Sequence, residues 1–177
     1  LLGMHFNTID VGSRLLGQVM DFSVVYRPND NPVLDRFIRE GRGSHVKHSL
    51  DRADIRTLVR LLRNGEAVWY APDQDYGVRH AVYAPFFGVP AATITATPRL
   101  VNMSGAAVIP TAHYRLPGGR YRIEFGAPLE GYPCGDDLAD ATRLNAVIEE
   151  YVRKLPEQYL WVHRRFKHQP DGAKLYK

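Results

Sequence analysis

His5 and Asp10 frame the segment HFNTID close behind an apolar stretch of Leu1, Leu2 and Met4, and the two residue types together could do general-base chemistry. A carboxylate bonded to one imidazole nitrogen fixes the tautomer and leaves the other nitrogen to take a proton from an attacking hydroxyl. Such a base is worth about 10²- to 10⁴-fold in rate. On one continuous helix, residues five apart point about 140° away from each other, so the pair meets only if His5 lies on a turn before the helix. Taken alone, the spacing fits a structural histidine better. Its position at a strand end is what favours catalysis.

Three further groups carry chemical possibilities. Arg42 lies in GRGSHVKH with His45, Lys47 and His48, a cluster that suits a phosphate or phosphopantetheine group and equally a solvated surface. In APDQDYG, Asp73 and Asp75 follow an apolar run, where they could position a substrate, form a polar turn or contribute to a cation site. Two acids at i and i+2 supply too few oxygens for a metal, so substrate positioning is preferred and no metal is expected. The stretch of Phe86, Phe87, Val89, Pro90, Ala91 and Ala92 could line an acyl pocket, although core packing accounts for most of it. Cys134, in GYPCGDD, is the only cysteine and has no activating neighbour in sequence.

These residues need a frame, and the hydrophobic pattern supplies one. Residues 1–4 read as the end of a core strand. Ile9, Val11, Leu15 and Leu16 mark a helix over 6–17, FSVVY marks a strand over 22–26, and Asn31 and Pro32 open a helix that stops at Gly41. Asp51 is placed as the cap of a helix carrying Ile55, Leu58, Val59, Leu61 and Leu62, followed by a strand over 66–71. That alternation predicts an α/β fold with a mostly parallel or mixed sheet flanked by helices, whose sites collect at strand carboxyl ends. Beyond Gly77 a loop leads to Ala81–Phe87, followed by a helix near 92–103 and a strand over 105–110. A hairpin turning at Pro117, Gly118 and Gly119 and an amphipathic helix over 137–154 complete the chain.

At 177 residues and 45% hydrophobic content the chain suits a single unit over 1–177, and 24% charged residues argue against a disordered or coiled-coil chain. Arg164, Arg165, Lys167, Lys174 and Lys177 face one acid, Asp171, so the tail over 163–177 accounts for the formal net charge of +4. It is expected to be a solvated basic end that favours an anionic partner. A membrane span needs about 20 apolar residues. The longest candidate, 81–92, is broken by Pro85, Gly88 and Pro90.

Taken together, HFNTID, YRPNDNP (26–32), Gly41-Arg42, WYAPDQDYG (69–77) and PEQYLWVHRRFK (156–167) resemble, in order and spacing from Met4 to Gly172, the late acyltransferases of lipid A biosynthesis. YRPNDNP and HRRFK look more like the lauroyl-type than the myristoyl-type enzyme. The resemblance implies a glycerol-phosphate-acyltransferase-like fold with its N-terminal part, including a membrane helix, absent from this chain. It implies transfer of a lauroyl group from acyl carrier protein to a 3-hydroxyacyl hydroxyl of the Kdo-lipid A precursor. No cofactor is implied beyond the acyl-carrier-protein co-substrate, and the location implied is the cytoplasmic face of the inner membrane. By carry-over His5 is the catalytic base and Asp10 its partner, where lauroyl-type enzymes often have Glu. Arg42 and Asp73 match the family's other functional arginine and aspartate and are assigned to substrate binding. Two other classes stay in view: a metal-dependent hydrolase using Asp73, Asp75 and His5 or His80, and an anion-binding module on the basic tail. No nucleic-acid signature appears.

Overall fold

The computed structural model describes residues 1–43 and 45–176, with the side chain of Arg42 outside the described residues. In chain order the elements are α1 (Ile9–Leu16), β1 (Ser23–Tyr26), α2 (Pro32–Gly43), β2 (Ser49–Asp51), α3 (Ile55–Arg63) and β3 (Val68–Trp69). They are followed by β4 (Ala81–Phe86), β5 (Val89–Ile94), α4 (Ala96–Ser104), β6 (Thr111–Leu116), β7 (Arg120–Phe125) and α5 (Asp137–Lys154). The fold is mixed α/β, as the alternation of the first seventy residues predicts.

β1 lies between β2 and β3, parallel to both. Residues 1–3 then extend this sheet. Leu2 bridges Tyr70 on one side and Pro110 on the other, both in parallel sense, with the Gly3 amide donating to the Tyr70 carbonyl at 2.9 Å and the Thr111 amide to the Leu2 carbonyl at 2.9 Å. The start of the chain is therefore a central strand, with Leu2 and Met4 buried. β6 and β7 continue outward as an antiparallel hairpin. This strand order puts the end of residues 1–3 beside the end of β3, and so brings His5 to the loop that carries Asp73.

Helix α3 shows how sequence selects the packing face. Leu58 and Leu61 are buried, while Arg56, Arg60 and Arg63 point outward. Its cap is Asp54, which accepts from the Thr57 amide at 3.1 Å, whereas Asp51 sits in β2 and accepts from the Ala53 amide at 2.8 Å. The sequence offers both aspartates at cap-like positions. The turn at 52–54 gives the helix to the second. Other expectations shift, among them the strand over 66–71, which narrows to β3 at Val68–Trp69. The first helix starts at Ile9 instead of residue 6, α2 runs on to Gly43, and β5 holds residues 92–94 in a β4–β5 hairpin before α4 begins at Ala96. Small and β-branched residues in AATIT suit the buried, pleated hairpin, where Ala91 and Ala92 have almost no exposed surface. Residues 105–110 form a connection with one bridge at Pro110 instead of a full strand.

The main core joins Met4, Phe6, Phe86, Ala91, Tyr114, Ile148, Val152 and Tyr159 under α5. Phe86 thus belongs to the core. α5 matches its predicted bounds and is capped by Asp136, whose carboxylate accepts from the Ala139 amide at 2.7 Å. Among the described residues no helix is long and apolar enough to cross a membrane.

Gly3 has no room for a side chain, because an added Cβ would collide with the Trp69 indole ring. Gly3→Ala is expected to destabilise the chain by about 1–3 kcal/mol. Thermal unfolding checks this, at about 2–4 °C per kcal/mol for a chain of this size.

Candidate active site

His5 stands on the turn between the residue 1–3 strand and α1, off the helix, and three contacts fix it there. Its backbone amide donates to Asp73 Oδ2 at 2.8 Å, its Nδ1 lies 2.6 Å from Asp73 Oδ1, and its carbonyl accepts from the Leu160 amide at 2.9 Å. The Trp69 ring meets the imidazole edge-on at 5.9 Å. The His5 side chain keeps 20% of its surface exposed while that of Asp73 keeps none. Burial alone would raise the Asp73 pKa, but the imidazole and amide of His5 outweigh it and hold the carboxyl below its ordinary value. An ionised carboxylate only accepts, so Nδ1 carries the proton in this pair. Nε2 is then the basic nitrogen of the neutral ring.

The sequence reading gave Asp73 to the substrate and Asp10 to the histidine. The structure corrects the first assignment: Asp73 is the carboxylate on Nδ1, and with no exposed surface it cannot touch a substrate directly. Asp10 sits in the first turn of α1 and borders a mostly apolar cavity with Trp69, Phe22, Val24, Ile123 and His113. Arg42 falls within α2, and its side chain lies outside the described residues.

Asp75 is committed elsewhere. Its buried carboxylate accepts from the Gly77 amide at 2.9 Å and meets Nδ1 of His168 at 2.9 Å, while its own amide donates to Nε2 of His163 at 2.9 Å. Asp73 and Asp75 therefore serve different histidines. No group of three or more His, Cys, Asp or Glu residues that could hold a metal ion occurs among the described residues.

The PEQYLWVHRRFK segment is the clamp on this loop. Tyr159 donates its hydroxyl to the Asp73 carbonyl at 3.2 Å. Arg165 is only 2% exposed, with Nη1 donating to the Ala92 carbonyl at 2.6 Å and Nη2 to Thr93 Oγ1 at 2.8 Å. The tail over 163–177 is expected to be solvated, and Arg164, Lys167 and Lys174 are exposed, but Arg165 is instead buried in the site's foundation. A guanidinium is hard to desolvate, and burial lowers the Arg165 pKa while the charges of Asp73 and Asp75 partly restore it. Sequence reading found this segment but assigned roles to none of Tyr159, His163, Arg165 and His168. Its alternation of aromatics with His and Arg was the available signal.

His113 on β6 was also missed. It is buried, its Nδ1 lies 2.8 Å from Thr8 Oγ1, and its Nε2 has no partner among the described residues. Gly12 lets α1 pack on it, since a Cβ there would come within 2.5 Å of the His113 ring. Burial, with the nearby charge of His5, pushes the His113 pKa down to about 4.

The structure thus places a histidine, held by a buried aspartate, at the end of a central strand. The bacterial lipid A biosynthesis acyltransferase model matches residues 1–168, and the chain belongs to that family. It is 43% identical over 175 residues to the lipid A biosynthesis lauroyltransferase of Escherichia coli K12, covering 98% of this chain and 57% of that protein. It is 42% identical over 174 residues to a lipid A biosynthesis acyltransferase of Haemophilus influenzae, covering 97% and 56%. Identity to the Escherichia coli lipid A biosynthesis myristoyltransferase is 28% over 173 residues, covering 95% and 53%. The chain thus spans a little over half the length of these relatives.

Keeping His113 neutral links folding to pH. The unfolded ring has a pKa of about 6.5 and the folded ring about 4, so the unfolded chain takes up the proton first. The stabilisation is complete above pH 6.5 and is lost as pH falls toward 4, on the order of 3 kcal/mol in all. Urea unfolding across that window should show a shallower pH slope for His113→Gln than for wild type. An unchanged slope would contradict the assignment.

Proposed function

We propose that this chain is the catalytic part of an acyltransferase that moves a lauroyl group from an acyl carrier protein thioester to the free hydroxyl of a 3-hydroxyacyl chain on the Kdo-lipid A precursor. The observation that carries this reading is the His5–Asp73 pair at the strand end, because it poises Nε2 to accept a hydroxyl proton. His5 takes that proton as the lipid oxygen attacks the thioester carbonyl. The C–S bond of the tetrahedral intermediate then breaks, and the imidazolium returns the proton to the departing thiolate, leaving ester and free thiol. Asp73 orients the ring and balances its charge. Asp10, on the cavity wall, is the second acid of the site, and Arg42 is assigned to an anionic group of donor or acceptor.

The matched names of the relatives and the register of the five motifs support the lipid A assignment. Residues 1–177 act as one catalytic unit with a glycerol-phosphate-acyltransferase-like fold, on the cytoplasmic face of the inner membrane. The route uses no metal and no resident cofactor. The commitment of Asp75 to His168 supports this over a metal-dependent hydrolase.

The test is transfer from an acyl carrier protein thioester to purified lipid A precursor, using the complete gene product. His5→Ala and Asp73→Asn are each expected to lower kcat by about 10²- to 10⁴-fold with KM little changed. Undiminished turnover in His5→Ala would sink the base assignment. A chelator should leave the wild-type rate unchanged, and chelator-sensitive activity would favour the hydrolase.

A further inference from the structure

Residues 71–77 form no helix or strand, so their peptide groups need partners outside the sheet. The two peptide units that follow Asp73 find them in side chains of the 159–168 segment. The Asp73 carbonyl accepts from the Tyr159 hydroxyl at 3.2 Å, and the Asp75 amide donates to Nε2 of His163 at 2.9 Å. The two bonds respond differently to acid. The Tyr159 hydroxyl keeps its proton, since burial raises its pKa. An imidazole nitrogen accepts only while it is bare, so His163 is neutral here and carries its proton on Nδ1. The ring is half-buried, and the charges acting on it are Lys167 on its own segment, Asp73 and Asp75 on the loop and His5 on the turn before α1. Burial, with the charges of Lys167 and His5, outweighs the two carboxylates and brings the His163 pKa below the ordinary 6.5.

We propose that His163 is a positioning residue for the transfer reaction, whose neutral imidazole holds the Asp75 amide and so keeps the Asp73 carboxylate on Nδ1 of His5. Protonation puts a hydrogen on Nε2, where it meets the N–H of Asp75 head-on. That bond is lost, the 74–75 peptide is released, and Asp73 loses one of the contacts that aim it. His163 thereby governs the base while touching no reacting atom. The inference rests on His5 acting as the base, and it adds a second group to the site that must be neutral for turnover.

The transfer assay on the complete gene product tests this with two variants. His163→Phe keeps a ring and removes the acceptor, and is expected to lower kcat by about ten- to a hundredfold with KM little changed. Glutamine offers a carbonyl oxygen at about the reach of Nε2 and does not titrate, so His163→Gln should recover most of that loss. It should also change the pH profile. At the acid end kcat/KM of wild type should fall by about two decades per pH unit, one for each histidine that must be neutral, and that of His163→Gln by about one. The proton on Nδ1 of His5, seen by NMR, gives a readout free of turnover: it should persist in His163→Gln and weaken or vanish in His163→Phe. Undiminished turnover in His5→Ala, with that proton still lost in His163→Phe, would remove the base assignment and leave the positioning role standing. Full activity in His163→Phe, an equal loss in both variants, or an acid limb that His163→Gln leaves unchanged would each overturn the proposal.

Discussion

A carboxylate with no contact to water is stable only if its surroundings replace what water supplied, and for Asp73 they do so from two directions. The imidazole and amide of His5 each meet one of its oxygens, while the Tyr159 hydroxyl holds its own carbonyl. The same contacts that keep Asp73 ionised decide which nitrogen of His5 is basic. Much of the rest of the structure can be understood as the scaffold for this pair.

The scaffold begins with strand order. Residues 1–3 sit between β3 and the start of β6, so the segment that leads to His5 and the segment that leads to Asp73 leave the sheet side by side. Sixty-eight residues of sequence separation become one hydrogen bond. Residues 159–168 then close over the loop from behind. His163 and His168 grip Asp75, and Arg165 reaches through to the β5 backbone. This explains how one cation of a basic segment comes to be buried: Arg165 is tied to the Ala92 carbonyl and Thr93, while Arg164 and Lys167 stay exposed.

The local pattern made much of this legible. Period-3.6 spacing fixed α5 and the buried side of α3, and the apolar alternation of the first seventy residues signalled the parallel sheet. The placement of His5 ahead of a helix was also visible, since Asp10 and His5 could not meet along one. What stayed hidden was long-range. Nothing in the segment APDQDYG says that Asp73 points to His5 and Asp75 to His168, because the choice is made by a tail some ninety residues away. His113 was equally silent, since its role depends on Thr8 and Gly12 packing against it across the sheet. The hairpin over β4 and β5 was obscured by AATITAT, whose small residues serve a helix and a buried strand alike.

General-base action by Nε2 of His5 requires the proton of the neutral ring to sit at Nδ1, facing Asp73. Nitrogen-15 NMR of the imidazole rings, with the His5 signals assigned by their loss in His5→Gln, reads that tautomer directly. The expected result is a neutral His5 ring with Nδ1 protonated, its proton shifted strongly downfield, and loss of that preference in Asp73→Asn. A neutral ring protonated at Nε2, or one unaltered by Asp73→Asn, would contradict it.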